Sequence, residues 1–271
     1  MEDHGSRTLL IVVIVVGVAA GAWLFRDLWL PAEAPPPPPP VEPAPAEPEP
    51  ALEPLYPVAP IEPRDEAGDL IPLPPLEDSD EYFALALIDL FGADLDALLA
   101  DDLLIERSVG TVDNLGRGRV PEQIRPIGRL PGSFVVDGSG EDTGYLMSPR
   151  NFERYNDVVA MLENAPVEDL VDTYRRFYPL LNEAYRLLGY PDGHFNDRAV
   201  EIIDLMLITP EPDGPIELVR EKVLYEYKAP SLEALSGGQK MLLRMGPANA
   251  ARVKTVLRAL RAELATPADP D

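Results

Sequence analysis

The sequence predicts a mainly α-helical domain of six or more helices, with at most a small β-hairpin, preceded by a transmembrane helix and a disordered proline-rich linker. Three observations lead to this fold class: an apolar run at the amino end, a proline tract after it, and apolar residues at helical spacing beyond residue 76. The boundaries that follow are a tail at 1–7, a transmembrane helix with an interfacial belt at 8–30, a linker at 31–75, a globular domain at 76–265 and a disordered tail at 266–271.

The apolar run carries no charged side chain from Thr8 to Phe25. A helix of that length measures about 27 Å, which is close to the ~30 Å hydrocarbon core of a bilayer. Trp23 and Trp29 suit the headgroup level at its end. We therefore expect an uncleaved anchor that contacts the lipid bilayer through residues 8–30. The alternative is a signal peptide cleaved after residue 22, at the small residues Ala20-Gly21-Ala22.

Proline dominates the chain from Pro31 to Pro63. Proline fixes φ and lacks an N–H group, so polyproline II is the remaining regular conformation. About thirty such residues reach on the order of 100 Å, and glutamates between the prolines favour extension. A spacer and an ordinary disordered linker are equally good interpretations, and a ligand for proline-binding modules is a weaker one.

Composition excludes several classes of function. The formal net charge is −24, which repels phosphate backbones and predicts no nucleic-acid partner. Cysteine is absent, so disulfides, thiolate metal sites and cysteine nucleophiles are excluded. There is no phosphate-binding G-x-x-x-x-G-K-[ST] motif, and we expect no nucleotide, no cofactor and no metal.

Helix signals begin with Asp78-Ser79-Asp80-Glu81, which is typical of an N-cap with a capping-box acid. This predicts a buried helix that ends near Gly92, followed by a second helix from about Asp94 toward Leu115. Residues 120–145 have a loop composition with one strand candidate at 134–136.

The second half continues with a third helix capped by Ser148, whose first turn holds Pro149. The strongest periodicity spans Val167 to Leu188, and Pro179 is expected to kink or split that helix. Further predicted elements are a fifth helix capped by Asn196 and running through Ile208, an extended stretch from Ile216 to Tyr227, short helical pieces that start at Ser231 and Ser236, and a last helix from Pro247 through Leu264. Tyr174, Tyr178 and Tyr185 are more typical of a core than of a binding groove.

Two groups of residues are candidate contact sites. His194 stands in a loop with Asp192, Asn196 and Asp197, where turn formation and helix capping are the simpler interpretation. Arg107, Arg117 and Arg119 form the second group. We identify no catalytic Ser/His/Asp constellation.

The string Leu235-Ser236-Gly237-Gly238-Gln239 matches the signature of ABC-transporter ATPases, but without a phosphate cradle it predicts only a helix N-cap. Its glycines are interpreted as letting the chain turn into the helix, whose N-terminus could attract an anion. From Ala234 to Ala262 there is no acidic residue, and the basic side chains there suit a solvated face or a docking surface for an acidic segment.

Several strings together resemble the uncharacterised bacterial family known as domain of unknown function 3014. These are Pro74 to Asp80, Thr111 to Leu115, Tyr178 to Leu181, Gly189 to Asp192, Phe195 to Arg198 and Gly238 to Lys240, in this order. The resemblance covers nearly the whole chain and implies an anchor, a proline-rich stretch and one domain in a bacterial envelope. It implies no activity, ligand or catalytic residue.

The combined expectation is a single-pass protein of the bacterial inner membrane with its carboxy-terminal domain in the periplasm. The expected role is a binding or scaffolding module for an envelope protein or peptidoglycan. The alternative is a periplasmic enzyme that acts on envelope material, with His194 and Asp197 as acid–base residues.

Overall fold

The computed structural model describes residues 53–64, 67–138, 144–220 and 224–266. These ranges belong to one compact unit. The predicted membrane segment at 8–30 and the first part of the predicted linker lie outside the described residues. Within the described ranges, no helix is long and apolar enough to cross a membrane.

The domain is mainly helical, as the sequence predicts. Its described part contains eight α-helices, which are α1 (Asp80–Phe91), α2 (Leu104–Leu115), α3 (Arg150–Glu153), α4 (Asn156–Asn164), α5 (Val167–Leu187), α6 (Phe195–Leu207), α7 (Pro230–Glu233) and α8 (Gly237–Leu264). Short 3-10 helices cover Leu76–Asp78, Ala93–Leu98 and Glu122–Ile124. The predicted third helix is two helices, α3 and α4, separated at Arg154 and Tyr155.

The sheet is larger than the predicted hairpin. Four antiparallel strands lie in the order β1 (Val136–Asp137), β2 (Tyr145–Met147), β3 (Glu217–Val219) and β4 (Glu226–Tyr227). The middle strands, β2 and β3, align Tyr145 with Leu218. Four helices separate these two positions in the chain, so no local hairpin pattern predicts their pairing. One face of the sheet buries Met147, Leu218 and Tyr227 against Leu243 of α8.

Helix α5 carries the main core. Its buried face includes Phe177, which is fully buried, and packs with Ile105 and Val109 of α2 and Phe83 of α1. The rings of Phe83 and Phe177 meet edge-to-face, 5.0 Å between centroids. Tyr178 and Tyr185 are core residues on the same helix, in agreement with the core interpretation of the tyrosine stripe.

Pro179 does not split α5, which runs unbroken for 21 residues. A proline inside a helix removes one hydrogen bond and costs about 3 kcal/mol. Its ring is exposed, whereas its neighbours Phe177, Tyr178, Leu180 and Leu181 are all buried. Because burial of each such side chain contributes roughly 1.5–3 kcal/mol, packing on both sides of the proline outweighs the lost bond.

The predicted capping box at Ser79 is absent from the structure. The Ser79 hydroxyl donates to the Leu76 carbonyl (2.7 Å) and does not cap α1. The Asp80 carboxylate instead accepts the N–H groups of Leu103 (2.8 Å) and Leu104 (2.7 Å), at the start of α2. These bonds hold Leu103 in the left-handed region, at φ 54°, and so the predicted helix from Asp94 is interrupted before α2.

Ser236 is the N-cap of α8, as predicted. The Ser236 side chain accepts the Gln239 N–H group, and the Gln239 side chain accepts the Ser236 N–H group, which is a complete capping box. The helical conformation is broken at Gly246 (φ 80°, ψ 164°), and Pro247 starts the second segment, again as the sequence predicts.

The acid-free stretch of α8 is partly neutralised by other elements of the domain. Four of its six basic side chains pair with acids, namely Lys240 with Glu233, Arg252 with Glu163, Lys254 with Glu211 and Arg261 with Asp204, whereas Arg244 and Arg258 are exposed. Lys254 is buried and also donates to the Thr209 carbonyl (2.8 Å). Those four cations are therefore committed to internal pairs, so the stretch is not simply a solvated basic face.

Gly246→Ala is expected to lower the free energy of unfolding by about 2–4 kcal/mol. The conformation is essentially restricted to glycine, and an added Cβ would lie within 3 Å of three Phe152 ring atoms. Urea denaturation followed by circular dichroism measures the loss. Gly214→Ala is the matched control, because Gly214 also has a positive φ but open space around it, and we expect about 1 kcal/mol there.

Candidate functional site

A buried carboxylate, Asp113, connects the candidate Arg117 with Tyr190 and Arg198, which lie on either side of His194 in the chain. Asp113 lies near the end of α2 and is 2% exposed. Its carboxylate accepts hydrogen bonds from Arg117 (2.8 Å) and Arg198 (3.1 Å). Arg198 also donates to the Asp113 backbone carbonyl (2.7 Å), and the Tyr190 hydroxyl lies 3.4 Å from both carboxylate oxygens. We call these four residues the Asp113 cluster.

The cluster holds three elements together. A carboxylate removed from water is strongly unfavourable unless it is paired, and here two guanidinium groups supply the pairing. Arg198 belongs to α6, and Tyr190 belongs to the loop between α5 and α6. Tyr190 also stacks on Tyr185 of α5, with ring centroids 4.6 Å apart. The position of α6 and its preceding loop therefore depends on one charge on α2.

The three candidate arginines do not form one site. Arg107 lies near the start of α2, where it donates to the Asp102 carbonyl (2.7 Å), the Asp102 carboxylate (2.6 Å) and the Gln123 carbonyl. From Arg107 to the end of α2 at Leu115 is eight residues, or about 12 Å along the axis, and Arg117 lies beyond that end. Arg117 joins the Asp113 cluster, and Arg119 is exposed.

The histidine loop is a turn followed by a helix start. The Gly193 N–H group donates to the Tyr190 carbonyl (2.9 Å), and Asp192 is exposed on this turn. His194 is half-buried at the N-cap position of α6, and its carbonyl accepts the Arg198 N–H group (3.3 Å).

The sequence predicts Asn196 as the cap of this helix, but Asn196 lies inside the first turn of α6. Asn182 of α5 does the capping, since its side-chain oxygen accepts the Phe195 N–H group (2.9 Å). Asn196 is fully buried and donates to the carbonyls of Tyr56 (2.9 Å) and Leu264 (3.0 Å). It also accepts the Tyr174 hydroxyl (3.0 Å), so every polar group of this amide is used.

Asp197 holds residues 55–56 of the proline-rich stretch against the helices. Its two carboxylate oxygens accept the backbone N–H groups of Leu55 (3.0 Å) and Tyr56 (2.9 Å). The Tyr56 side chain packs against the buried Val200, Ile203 and Leu264. The folded domain thus begins earlier in the chain than the predicted boundary at residue 76. We call Asn196, Asp197 and this apolar cluster the seat of residues 55–56.

Contacts and ordering cost in the seat are of similar size. A hydrogen bond to a charged group contributes about 1.5–3 kcal/mol, and burial of an aromatic side chain adds a similar amount. Fixing the backbone costs about 1–2 kcal/mol for each ordered residue, although Pro54 and Pro57 are already restricted. The segment at 53–58 is therefore held far less firmly than the core.

Burial at the seat also affects Tyr174. Desolvation raises the pKa of the Tyr174 hydroxyl well above its usual value, and the neighbouring Tyr178 and Asp197 act in the same direction. The phenol therefore stays neutral and donates to Asn196 at any physiological pH.

The signature-like string has a packing role in the structure. The Gly237 N–H group donates to the Arg117 carbonyl (2.5 Å), and a Cβ on Gly238 would lie 3.2 Å from Leu115. Both glycines have helical conformation, so they do not form the turn that the sequence suggested. They are required because α8 approaches the end of α2 closely. This also gives the Gly237 N–H group at the helix N-terminus an internal partner.

Chemistry at these positions is limited by partners already present. In the described residues, no group of three or more His, Cys, Asp or Glu side chains is placed to hold a metal ion. Sequence reasoning missed Asp113, Tyr190, Arg198 and Tyr56 as site residues. The first three were visible only as members of the strings that carry the family resemblance, and Tyr56 only as an aromatic residue among prolines.

Comparison with known proteins returns one match. The model of a family described as "Protein of unknown function (DUF3014)" matches residues 104–261, which is more than half of the chain. The matched range includes the Asp113 cluster and most of the seat, and it leaves Leu55 and Tyr56 outside. No curated protein and no solved structure matches the chain.

Asp113→Asn is expected to lower the free energy of unfolding by about 3 kcal/mol, because it removes the charge that compensates two guanidinium groups. Glu201→Gln breaks the exposed ion pair of the same Arg198 and should cost less than about 1 kcal/mol. Chemical denaturation of both variants at neutral pH makes the comparison. Equal losses would contradict the central role of Asp113.

Stability is expected to fall above about pH 10, and Tyr174→Phe should make that fall shallower. The pKa of Tyr174 is higher in the folded than in the unfolded chain, so its contribution is complete below the unfolded value of about 10 and is lost as the pH rises through the folded value. Urea midpoints between pH 8 and pH 11 measure the slope. Tyr82→Phe, at a half-exposed ring, should leave it unchanged.

Proposed function

Because the chain belongs to the family of unknown function DUF3014, whose name assigns no activity, we propose a function from the chain's own architecture. It is a single-pass inner-membrane protein whose helical domain stands in the periplasm and acts as a binding or scaffolding module. Its partners are an envelope protein or peptidoglycan. The apolar run at 8–30 serves as the anchor, and the proline-rich stretch serves as a spacer.

The seat of residues 55–56 is the observation that carries this proposal. A domain carried by a long tether needs a defined point of attachment. Asp197 and Asn196 provide it through three hydrogen bonds to the N–H groups of Leu55 and Tyr56 and the carbonyl of Tyr56. Backbone contacts of this kind fix where the tether leaves the domain. The ring of Tyr56 adds an apolar contact at the same point.

The enzyme alternative has weaker support. It requires Asp197 to exchange protons with a substrate, yet both of its carboxylate oxygens accept backbone N–H groups. Asn196 is likewise fully engaged. A carboxylate that holds the chain in this way is better suited to attachment than to acid–base chemistry.

Membrane placement is tested on the full-length chain in bacterial cells. We expect it to remain with the membrane fraction after carbonate washing, and a variant without residues 1–30 to be released. Because the natural chain has no cysteine, Glu168→Cys adds a single exposed thiol to the domain. A membrane-impermeant maleimide should label this thiol in cells whose outer membrane is permeabilised.

The binding role is tested by crosslinking the same full-length chain in living cells, followed by mass spectrometry. A reproducible envelope protein or a peptidoglycan fragment is the expected product. Recovery of the full-length chain in the soluble cytosol, with a thiol that becomes accessible only after lysis, would contradict the proposed location.

A further inference from the structure

The seat has the features of a peptide-recognition site. Two adjacent N–H groups meet one carboxylate, the next carbonyl meets a buried amide, and one aromatic ring enters an apolar cluster. The backbone contacts require an extended segment without proline at these two positions. The apolar cluster requires an aromatic side chain at the second of them. Prolines on both sides, Pro54 and Pro57, keep the segment extended before it binds.

We propose that this seat is a peptide-binding site that the chain fills with its own residues 53–58, and that a partner protein displaces them with an extended segment of the pattern Pro-X-aromatic-Pro. The inference deepens the proposed binding role and rests on it for the existence of a partner. We call residues 53–58 the latch, because they occupy the seat until a competing segment replaces them.

The connection after the latch permits this exchange. Residues 59–62 are exposed, and the described hydrogen bonds between residues 63 and 71 are local, with the Ile71 N–H group donating to the Pro63 carbonyl (2.8 Å) and Arg64 donating to the Gly68 carbonyl (2.9 Å). Release of residues 53–58 therefore uncovers the Tyr56 ring and removes the half-buried Val58 from the main core, while the helices keep their contacts with one another. Helix α6, which carries Asn196 and Asp197, is fixed independently of residues 53–58, because Asn182 caps it and the Asp113 cluster holds Arg198.

The charged groups of the seat favour a peptide segment that has no net charge and presents two backbone N–H donors to Asp197. Asp197 supplies the negative charge, and Arg261, which pairs with Asp204 (2.6 Å), also interacts with the Tyr56 hydroxyl and supplies a nearby cation. A tyrosine hydroxyl, which accepts from a guanidinium, fits this position better than phenylalanine. The partner residue at the aromatic position is thus tyrosine.

The experiment uses the full-length chain in detergent and a fluorescent peptide with the sequence of Glu53 to Val58. Tyr56→Gly weakens the latch, so the peptide should bind this variant at least about tenfold more tightly than the natural chain, as measured by fluorescence anisotropy. Adding Asp197→Asn to the variant should abolish binding. Adding Asp157→Asn instead is the matched control, since this exposed acid lies on α4 and makes none of the seat contacts, and should leave binding unchanged. A peptide with alanine in place of tyrosine should not bind.

Absence of peptide binding to a Tyr56→Gly chain with an unchanged thermal transition would overturn the proposal, as would binding that is insensitive to Asp197→Asn.

If Tyr56→Gly does not fold, hydrogen exchange of the natural chain decides. The amides of Leu55 and Tyr56 should then exchange at least about 100-fold faster than the amides of Phe177 and Tyr178. Equal protection would mean that the segment opens only on global unfolding and is no latch. A natural chain that forms dimers which the peptide dissolves would assign the seat to a second copy and overturn the heterologous partner. None of these results changes the membrane fractionation, so the two proposals fail separately.

Discussion

One buried charge determines how the second half of the domain is assembled. Asp113 is almost fully buried, so α6 and the loop before it present a cation, Arg198, and a hydroxyl, that of Tyr190, to its carboxylate. Once Arg198 is fixed in this way, the residues on either side of it are fixed too. Asn196 and Asp197 lie within one helical turn of Arg198, and this proximity gives the seat its geometry.

The same helix start thus serves two purposes on two of its faces. Arg198 points to the interior of the domain, while Asn196 and Asp197 receive residues 55–56. A disturbance of the Asp113 cluster is therefore expected to reach the tether junction, although no residue of the cluster contacts Leu55 in the described part of the chain. Mutations in the two places are consequently not independent, and their energies should not be added.

Sequence patterns revealed what is local in this chain. The spacing in α5, the N-cap at Ser236 and the helix start at Pro247 each follow from residues within one or two helical turns. Apart from Arg117, which is four positions after Asp113, the partners of Asp80, Asp113, Asn196 and Asp197 are 22 to 142 positions away. A polar side chain carries no sign of which distant group it will meet. For the same reason the pairing of β2 with β3 was invisible, and Asn196 was assigned the cap that Asn182 provides.

Asn196 has a mechanical consequence. Its single amide group bridges the Tyr56 carbonyl near the beginning of the domain and the Leu264 carbonyl at the end of the last helix. Tension applied along the chain from the amino-terminal side is therefore expected to load the hydrogen bonds of Leu55 and Tyr56 before it reaches the core that contains Phe177. Because only a few bonds hold these residues, the junction should open at a lower force than the helices and close again when the load is removed.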